Sequence, residues 1–231
     1  MGALHRHPLD HPVWSSLTTR QAHLAIGHGA VRRYLPAISP ITGVCESGGD
    51  VLSSLIAVTD IGDDVSIFGP TIPALGREWA VLRQARITQM IREDTASLPE
   101  GNIEVSVLDA ADVADMMALV ELTQPGPFRT RTIELGTFIG VRENGRLIAM
   151  AGERMWTGDL REVSGICTHP EARARGYARA LTARVVNRML RAGQTPFLHV
   201  YSTNRAAIDL YRALGFVRRA EFPLLHARRV G

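Results

Sequence analysis

The sequence predicts a fold of the α/β (α+β) class, and three observations carry that expectation. A strand pattern at Leu160–Thr168 runs through a short basic loop into an amphipathic helix at Gly176–Arg191. Asn144-Gly145 lies between two apolar segments, 137–142 and 146–153, a strong local signal for a β-hairpin. From residue 103 onward the periodicities read strand, helix, hairpin, strand, helix, strand, helix in turn.

With 231 residues, the chain has material for one or two domains. Its apolar fraction of 45% and charged fraction of 21% are those of an ordinary globular protein. A net charge of +3 suits acidic small molecules or phosphates and does not argue for nucleic acid, since no arginine cluster is interleaved with aromatics. No apolar stretch reaches the ~18 residues of a membrane span, so no membrane partner is expected. The two cysteines, Cys45 and Cys167, are far apart and lack metal-ligand spacing. They imply a reducing cytoplasm and no metal.

The first 98 residues read as an α/β unit of their own. His5, His7 and His11 lie among prolines without a cysteine partner, as in a loose terminal segment rather than a metal site. A helix is expected over 17–24, capped by Ser15 or Ser16, with short strands at 30–35 and 42–46. Asp50 caps a helix over 51–58, and 64–68 alternates as a strand stopped by Gly69-Pro70. The stretch 79–91 fits neither period. Residues 95–102 are the expected linker, so the division falls at 1–98 and 103–231. The first part is expected to wall an acceptor pocket or to serve as a packing and dimerisation module. The sequence leaves a homodimer open.

In the second half, 103–108 alternates as a strand and 109–123 carries helical spacing capped by Asp109 or Asp112. Pro125-Gly126-Pro127-Phe128 is a loop. After the hairpin comes the strand 160–168, broken by His169-Pro170, then Arg173-Ala174-Arg175-Gly176-Tyr177-Ala178 at the start of the helix. A strand, a basic loop and a helix N-terminus make an anion site: first-turn amides are unpaired and the dipole is positive there. Gly176 admits a bulky anion, Ala178 keeps the next position small, and Arg173 and Arg175 offer forked donors. Every basic residue in the Lys+Arg count is Arg, so no Gly-Lys-Ser/Thr phosphate loop exists, and no Gly-x-Gly-x-x-Gly follows a strand.

The remaining pattern, Arg-x-x-Gly-x-Ala after a strand ending in His-Pro, resembles the pyrophosphate signature of the GNAT superfamily of N-acetyltransferases. A second motif follows one helix and one strand later. Asn204-Arg205-Ala206-Ala207-Ile208-Asp209-Leu210-Tyr211-Arg212-Ala213-Leu214-Gly215-Phe216 resembles the family's closing motif. The likeness covers 103–219, looks closest to the branch sharing the C-terminal half of glycine N-acyltransferases, and extends weakly to 1–98 as a worn copy of the same fold. It implies a GNAT fold with a central mixed, mostly antiparallel sheet flanked by helices. It also implies acetyl-CoA as donor and an amine acceptor attacking directly in a ternary complex.

Carried onto this chain, the resemblance puts the pantetheine arm on the backbone of Ile166, Cys167 and Thr168, with Asn204 beside it. The pyrophosphate falls to the amides of Arg173, Ala174, Arg175, Gly176, Tyr177 and Ala178. Tyr211 stands where the family places its general acid. Glu162, and after it Glu153, are the candidate bases, with His169 and His199 as alternatives. Strand alternation places Glu162 on one face with Ser164 and Ile166. Cys167 lacks an activating base in the sequence, which speaks against a covalent route. Two rival readings are transfer of a longer acyl group and a CoA-binding scaffold without turnover.

Overall fold

The computed structural model describes residues 7–45 and 49–231. His5 and the expected strand end at Glu46 lie outside the described residues. Eleven strands form one sheet: β1 Ala25–His28, β2 Val31–Tyr34, β3 Ile41–Val44, β4 Asp64–Phe68, β5 Trp79–Ile91, β6 Ser106–Leu108, β7 Phe138–Glu143, β8 Arg146–Thr157, β9 Leu160–Thr168, β10 Thr195–Tyr201 and β11 Val217–Arg229. Five helices accompany them: α1 Pro12–Thr18, α2 Val51–Ala57, α3 Val113–Thr123, α4 Tyr177–Arg191 and α5 Arg205–Ala213. The strand order is β1-β2-β3-β4-β11-β5-β10-β9-β8-β7-β6. Only β3/β4 and β9/β10 pair in parallel among the described strands. The mixed, mostly antiparallel sheet flanked by helices is therefore present.

The stretch with neither period, 79–91, is the 13-residue strand β5. It lies between β10 and β11, pairing Phe197 with Ile91 on one side and Val217 with Ile91 on the other. Its last five residues are buried while Val81 to Gln84 are exposed, so no single alternation runs through it. The sheet consequently does not break at the expected linker. That segment is pinned: Leu98 N–H donates to Asn187 Oδ1 at 2.7 Å, and Asn187 Nδ2 donates back to the Leu98 carbonyl at 2.8 Å. Arg92, 2% exposed, donates Nε to the Leu214 carbonyl and Nη2 to that of Ala96.

The helix expected over 17–24 is displaced. Pro12 starts α1 at its first turn, where a missing N–H costs nothing, and a 3-10 turn at Ala22–Leu24 follows. The Asp50 cap forms as expected, accepting the Ser53 amide. The expected strand at 103–108 contracts to β6, and a 3-10 turn capped by Asp109 precedes α3.

Helix α4 buries Leu181, Val185 and Met189 in the core formed with β7 to β10 and α5. Each such side chain contributes about 1.5–3 kcal/mol. Leu119 and Met116 of α3 pack on the opposite face with Phe138, Met150 and Cys167. Helix α1 fills a third core with Tyr34, Phe68, Met155 and Phe197. It touches both β3 and β8, strands well separated in the sheet order, so the sheet curls around it.

Candidate active site

The site begins where two strands part. Strands β9 and β10 pair only from Thr195↔Leu160 to Phe197↔Glu162. Beyond Glu162, β9 runs on to Thr168 with no strand on that edge, so its backbone groups there lack a ladder partner. A β-bulge shapes the open stretch: Met150 pairs with Cys167, but Gly152 pairs with Ser164, one residue more on β9. Gly165 takes the extra step at φ +63°, and an added Cβ there would meet Phe138 at 2.9 Å. The bulge reverses the alternation. Ile166 packs with Val163 against the α4 core, while Cys167 faces the α3 core. The expectation that Glu162, Ser164 and Ile166 share a face is thereby corrected.

The loop after β9 ends at Gly176, which caps α4 at φ +82° with no side-chain hydrogen bond to the first turn. The amides of residues 177–179 are left for an anion. Ala174 adds a left-handed residue at φ +62°, a strain of about 1–2 kcal/mol of the kind found at binding loops. Arg173 makes no ion pair with a described residue. Arg175 does: its guanidinium grips the Glu143 carboxylate, which also accepts the Tyr177 hydroxyl at 2.7 Å. Arg179, on the next turn, lines the cavity, whereas Arg175 does not.

One cavity of about 1680 Å³ joins the open edge, the loop and α5. Ile166, Cys167, Thr168, Arg173, Ala174, Gly176, Tyr177, Ala178, Asn204 and Tyr211 line it, which brings together all but one of the residues expected to hold the donor. Thr168 Oγ1 is buried there without a hydrogen-bond partner, an orphan that a ligand in the cavity would satisfy. Asn204 accepts the Ala207 amide as the cap of α5. The Tyr211 ring is 7% exposed and packs edge-on against Phe216, and its hydroxyl bonds no described residue. Burial pushes that phenol well above its ordinary range. Burial likewise pushes the Cys167 thiol up to about 11.

Neither candidate base lines the cavity. Glu162 is fully buried, accepts Arg154 Nε at 2.7 Å and Nη2 at 2.6 Å, and accepts the Met155 amide at 3.3 Å. It also meets His199 Nδ1 at 2.7 Å. Burial would raise its pKa, but the Arg154 charge and hydrogen bonds, with that of His199, overcome this and hold it to about 2. Glu153 accepts both Nε and Nη2 of Arg161 through one oxygen, at 3.1 and 2.8 Å, with Arg188 at 3.5 Å.

His199 is also committed. Gln89 accepts Arg219 Nη1 at its oxygen and donates Nε2 to the Leu9 carbonyl. The same amide nitrogen therefore donates to His199 Nε2 at 3.0 Å, leaving Nδ1–H to donate to Glu162. Burial depresses its basicity, offset in part by Glu162. His169 accepts the Glu171 amide and meets Arg146, outside the cavity.

The other wall of the cavity is shared between the N-terminal half, which was expected to wall a pocket, and β11 with the loop before β7; the particular residues were not legible in the sequence. Ser66 and Phe68 of β4, Arg83 of β5 and His226 of β11 line it, with Arg129 from the loop before β7. Ser66 Oγ and His226 Nδ1 are 2.9 Å apart across paired strands.

An open strand edge leading to a helix-capped loop, with a phenol lining the same cavity, is the arrangement of an acyltransferase site. Residues 138–223 match the FR47-like protein family model. A GNAT-family protein from Novosphingobium aromaticivorans is 36% identical, over 97% of this chain and 99% of that one, with a TM-score of 0.86. A GCN5-related N-acetyltransferase from Kribbella flavida shares the fold at 13% identity, with a TM-score of 0.60 over 94% of each chain. A GNAT-family acetyltransferase from Colwellia psychrerythraea does so at 12% identity, with a TM-score of 0.52 over 71% of this chain and 65% of that one. No curated protein sequence matches the chain. The chain belongs to the GNAT family of acyltransferases.

Proposed function

We propose that the protein transfers the acetyl group of acetyl-CoA to a primary amine by direct attack, with donor and acceptor bound together. The observation that carries this reading is the parting of β9 from β10 after Glu162 and Phe197, in the same cavity as the uncapped start of α4. The unpaired edge at Ile166, Cys167 and Thr168 suits an extended pantetheine arm as an added strand, and Asn204 lies alongside. The Thr168 hydroxyl supplies a polar contact that lacks a partner otherwise. The amides from Ala174 to Ala178, with the side chains of Arg173 and Arg179, suit the pyrophosphate, while the Arg173 amide is already given to the Pro170 carbonyl. Arg175 serves in this reading by fixing the loop through Glu143.

Acetyl-CoA supplies an activated thioester. The chain holds it in place, offers a backbone N–H near Cys167 to the charge developing on the carbonyl oxygen, and presents Tyr211 as proton donor to the departing sulfur. A thiol held up to about 11 is a poor nucleophile, which supports direct transfer over a Cys167 acyl-enzyme. Glu162 and Glu153 act in this reading as structural anions, because each is spent on an arginine.

The size of the cavity favours one second reading, transfer of a longer acyl group as in glycine N-acyltransferases, the branch the closing motif resembles. Isothermal titration with CoA, acetyl-CoA and longer acyl-CoAs distinguishes them. Acetyl-CoA is expected to bind at micromolar Kd and to release thiol on addition of a primary amine. Preference for a longer chain would move the assignment to the second reading. Absence of binding by every acyl-CoA would overturn both, and binding without thiol release would leave a scaffold.

A further inference from the structure

Acyl transfer to an amine needs a proton acceptor, because an alkylammonium has no lone pair to attack with. The two glutamates near the reaction strand are committed to arginines, and His199 is held between Glu162 and Gln89. Asp64 reaches the cavity, but it accepts Arg228 at 2.7 and 3.1 Å and Arg129 at 3.4 Å. Tyr201 accepts from Arg83. Glu121 stands exposed on α3, with no side-chain hydrogen bond to a described residue that would fix its carboxylate toward the cavity. What is left is an imidazole. His226 lines the cavity half-buried, and its Nε2 bonds no described residue.

We propose that His226, braced by Ser66 of the N-terminal half, accepts the proton the acceptor amine must lose. This rests on the acyl-transfer reading above. The Ser66 hydroxyl both donates and accepts, so it holds Nδ1 whether the ring is neutral or protonated. Ser66 is itself 3% exposed and fixed by its backbone N–H, which donates a hydrogen bond to the Pro40 carbonyl at 2.8 Å. Imidazole is the side chain suited to exchange protons near neutral pH. The charged groups facing it are Asp64 from β4, Arg83 from β5, Arg228 from β11 and Arg129 from the loop.

The proton balance closes. The ammonium gives one proton to His226, and the freed amine forms the C–N bond as the C–S bond breaks. The thiolate takes a proton from Tyr211, the nitrogen's second proton restores the Tyr211 phenol, and His226 releases the first proton to solvent as the one net proton lost.

Two small nucleophiles test the assignment without knowledge of the natural acceptor. Ethylamine is an ammonium at neutral pH and needs a base, whereas hydroxylamine is already neutral and does not. His226→Gln keeps a partner for Ser66 and is expected to lower kcat/KM for ethylamine roughly a hundredfold, with acetyl-CoA affinity and the hydroxylamine rate within about threefold. Ser66→Ala, which removes the brace and keeps the ring, should fall between the wild type and His226→Gln on ethylamine. An equal loss on both nucleophiles, or none on either, overturns the proposal while acyl transfer stands. Failure of the wild type to acylate either nucleophile would overturn acyl transfer itself, and this proposal with it.

Discussion

Arg154 donates Nε and Nη2 to the two oxygens of Glu162, at 2.7 and 2.6 Å, across the β8–β9 hairpin. The pair is largely buried: Glu162 is fully buried, and the Arg154 side chain, 12% exposed, reaches the cavity wall. Breaking such a pair by removing one partner costs about 3–5 kcal/mol, because the surviving charge stays buried. Glu162→Gln should therefore lower unfolding free energy by that order in urea titrations. A joint Glu162→Leu, Arg154→Leu change should recover most of it. A single variant as stable as the wild type would remove the pair from the stability argument.

The same pair sets an acid limb. A carboxyl held to about 2 against an ordinary 4.5 has the lower pKa in the folded state. Its contribution is present in full above 4.5 and is lost as pH falls through about 2. His199, depressed by burial, adds loss in the same direction below its ordinary 6.5, since the unfolded ring binds the proton more readily. Urea midpoints should fall on acidification, and Glu162→Gln should flatten the profile below 4.5. An unchanged profile in the variant would assign the acid limb to other groups.

Much of this site was written locally, and the part that was missed is non-local. Strand β9, the Gly176 loop and the Asn204 cap follow from residue type and order, because each depends on neighbours in sequence. The fate of Glu162 depends on Arg154. A signal existed for it: a turn at Gly158-Asp159 folds 153–157 onto 160–163 and sets Glu153 and Arg154 near Arg161 and Glu162, one opposite-charge pair on each face. Strand β5 escaped because the end between β10 and β11 is buried on both faces, so alternation fails there. The Ser66–His226 pair brings together positions 160 residues apart, which no local pattern records.

Cys167 tests the route of transfer. Its thiol is 6% exposed and held up to about 11 by burial, so it stays protonated at neutral pH. Cys167→Ala should keep turnover within about threefold, at a stability cost near 1 kcal/mol for the small void. Iodoacetamide should label the native thiol slowly. An acetylated Cys167 detected by mass spectrometry during turnover would establish a covalent route instead.

Ala178 separates helix stability from donor binding. An acid in the first turn of α4 favours the helix dipole by about 0.3–1 kcal/mol. In the cavity, the same charge would oppose a pyrophosphate, and even a screened unit charge at short range is worth about 1 kcal/mol or more, several-fold in Kd. Ala178→Asp should thus raise the unfolding midpoint while weakening acetyl-CoA binding. Calorimetry and urea titration on one sample give both numbers. Unchanged affinity would show that the anion does not sit at this helix end.

Tyr211→Phe isolates a single hydroxyl. The ring's packing on Phe216 survives the change, and the hydroxyl bonds no described residue, so stability should move by less than about 0.5 kcal/mol. If the phenol protonates the leaving sulfur, kcat should fall by about 10²–10⁴ with acetyl-CoA affinity unchanged. Burial raises this phenol above its ordinary range, so it remains an acid as pH rises. The wild-type rate should then show no falling limb from its ionisation below about pH 10. Because the hydroxyl bonds no described residue, a rate loss at native stability and unchanged acetyl-CoA affinity reports the chemical step, and full activity in Tyr211→Phe would assign that proton to water.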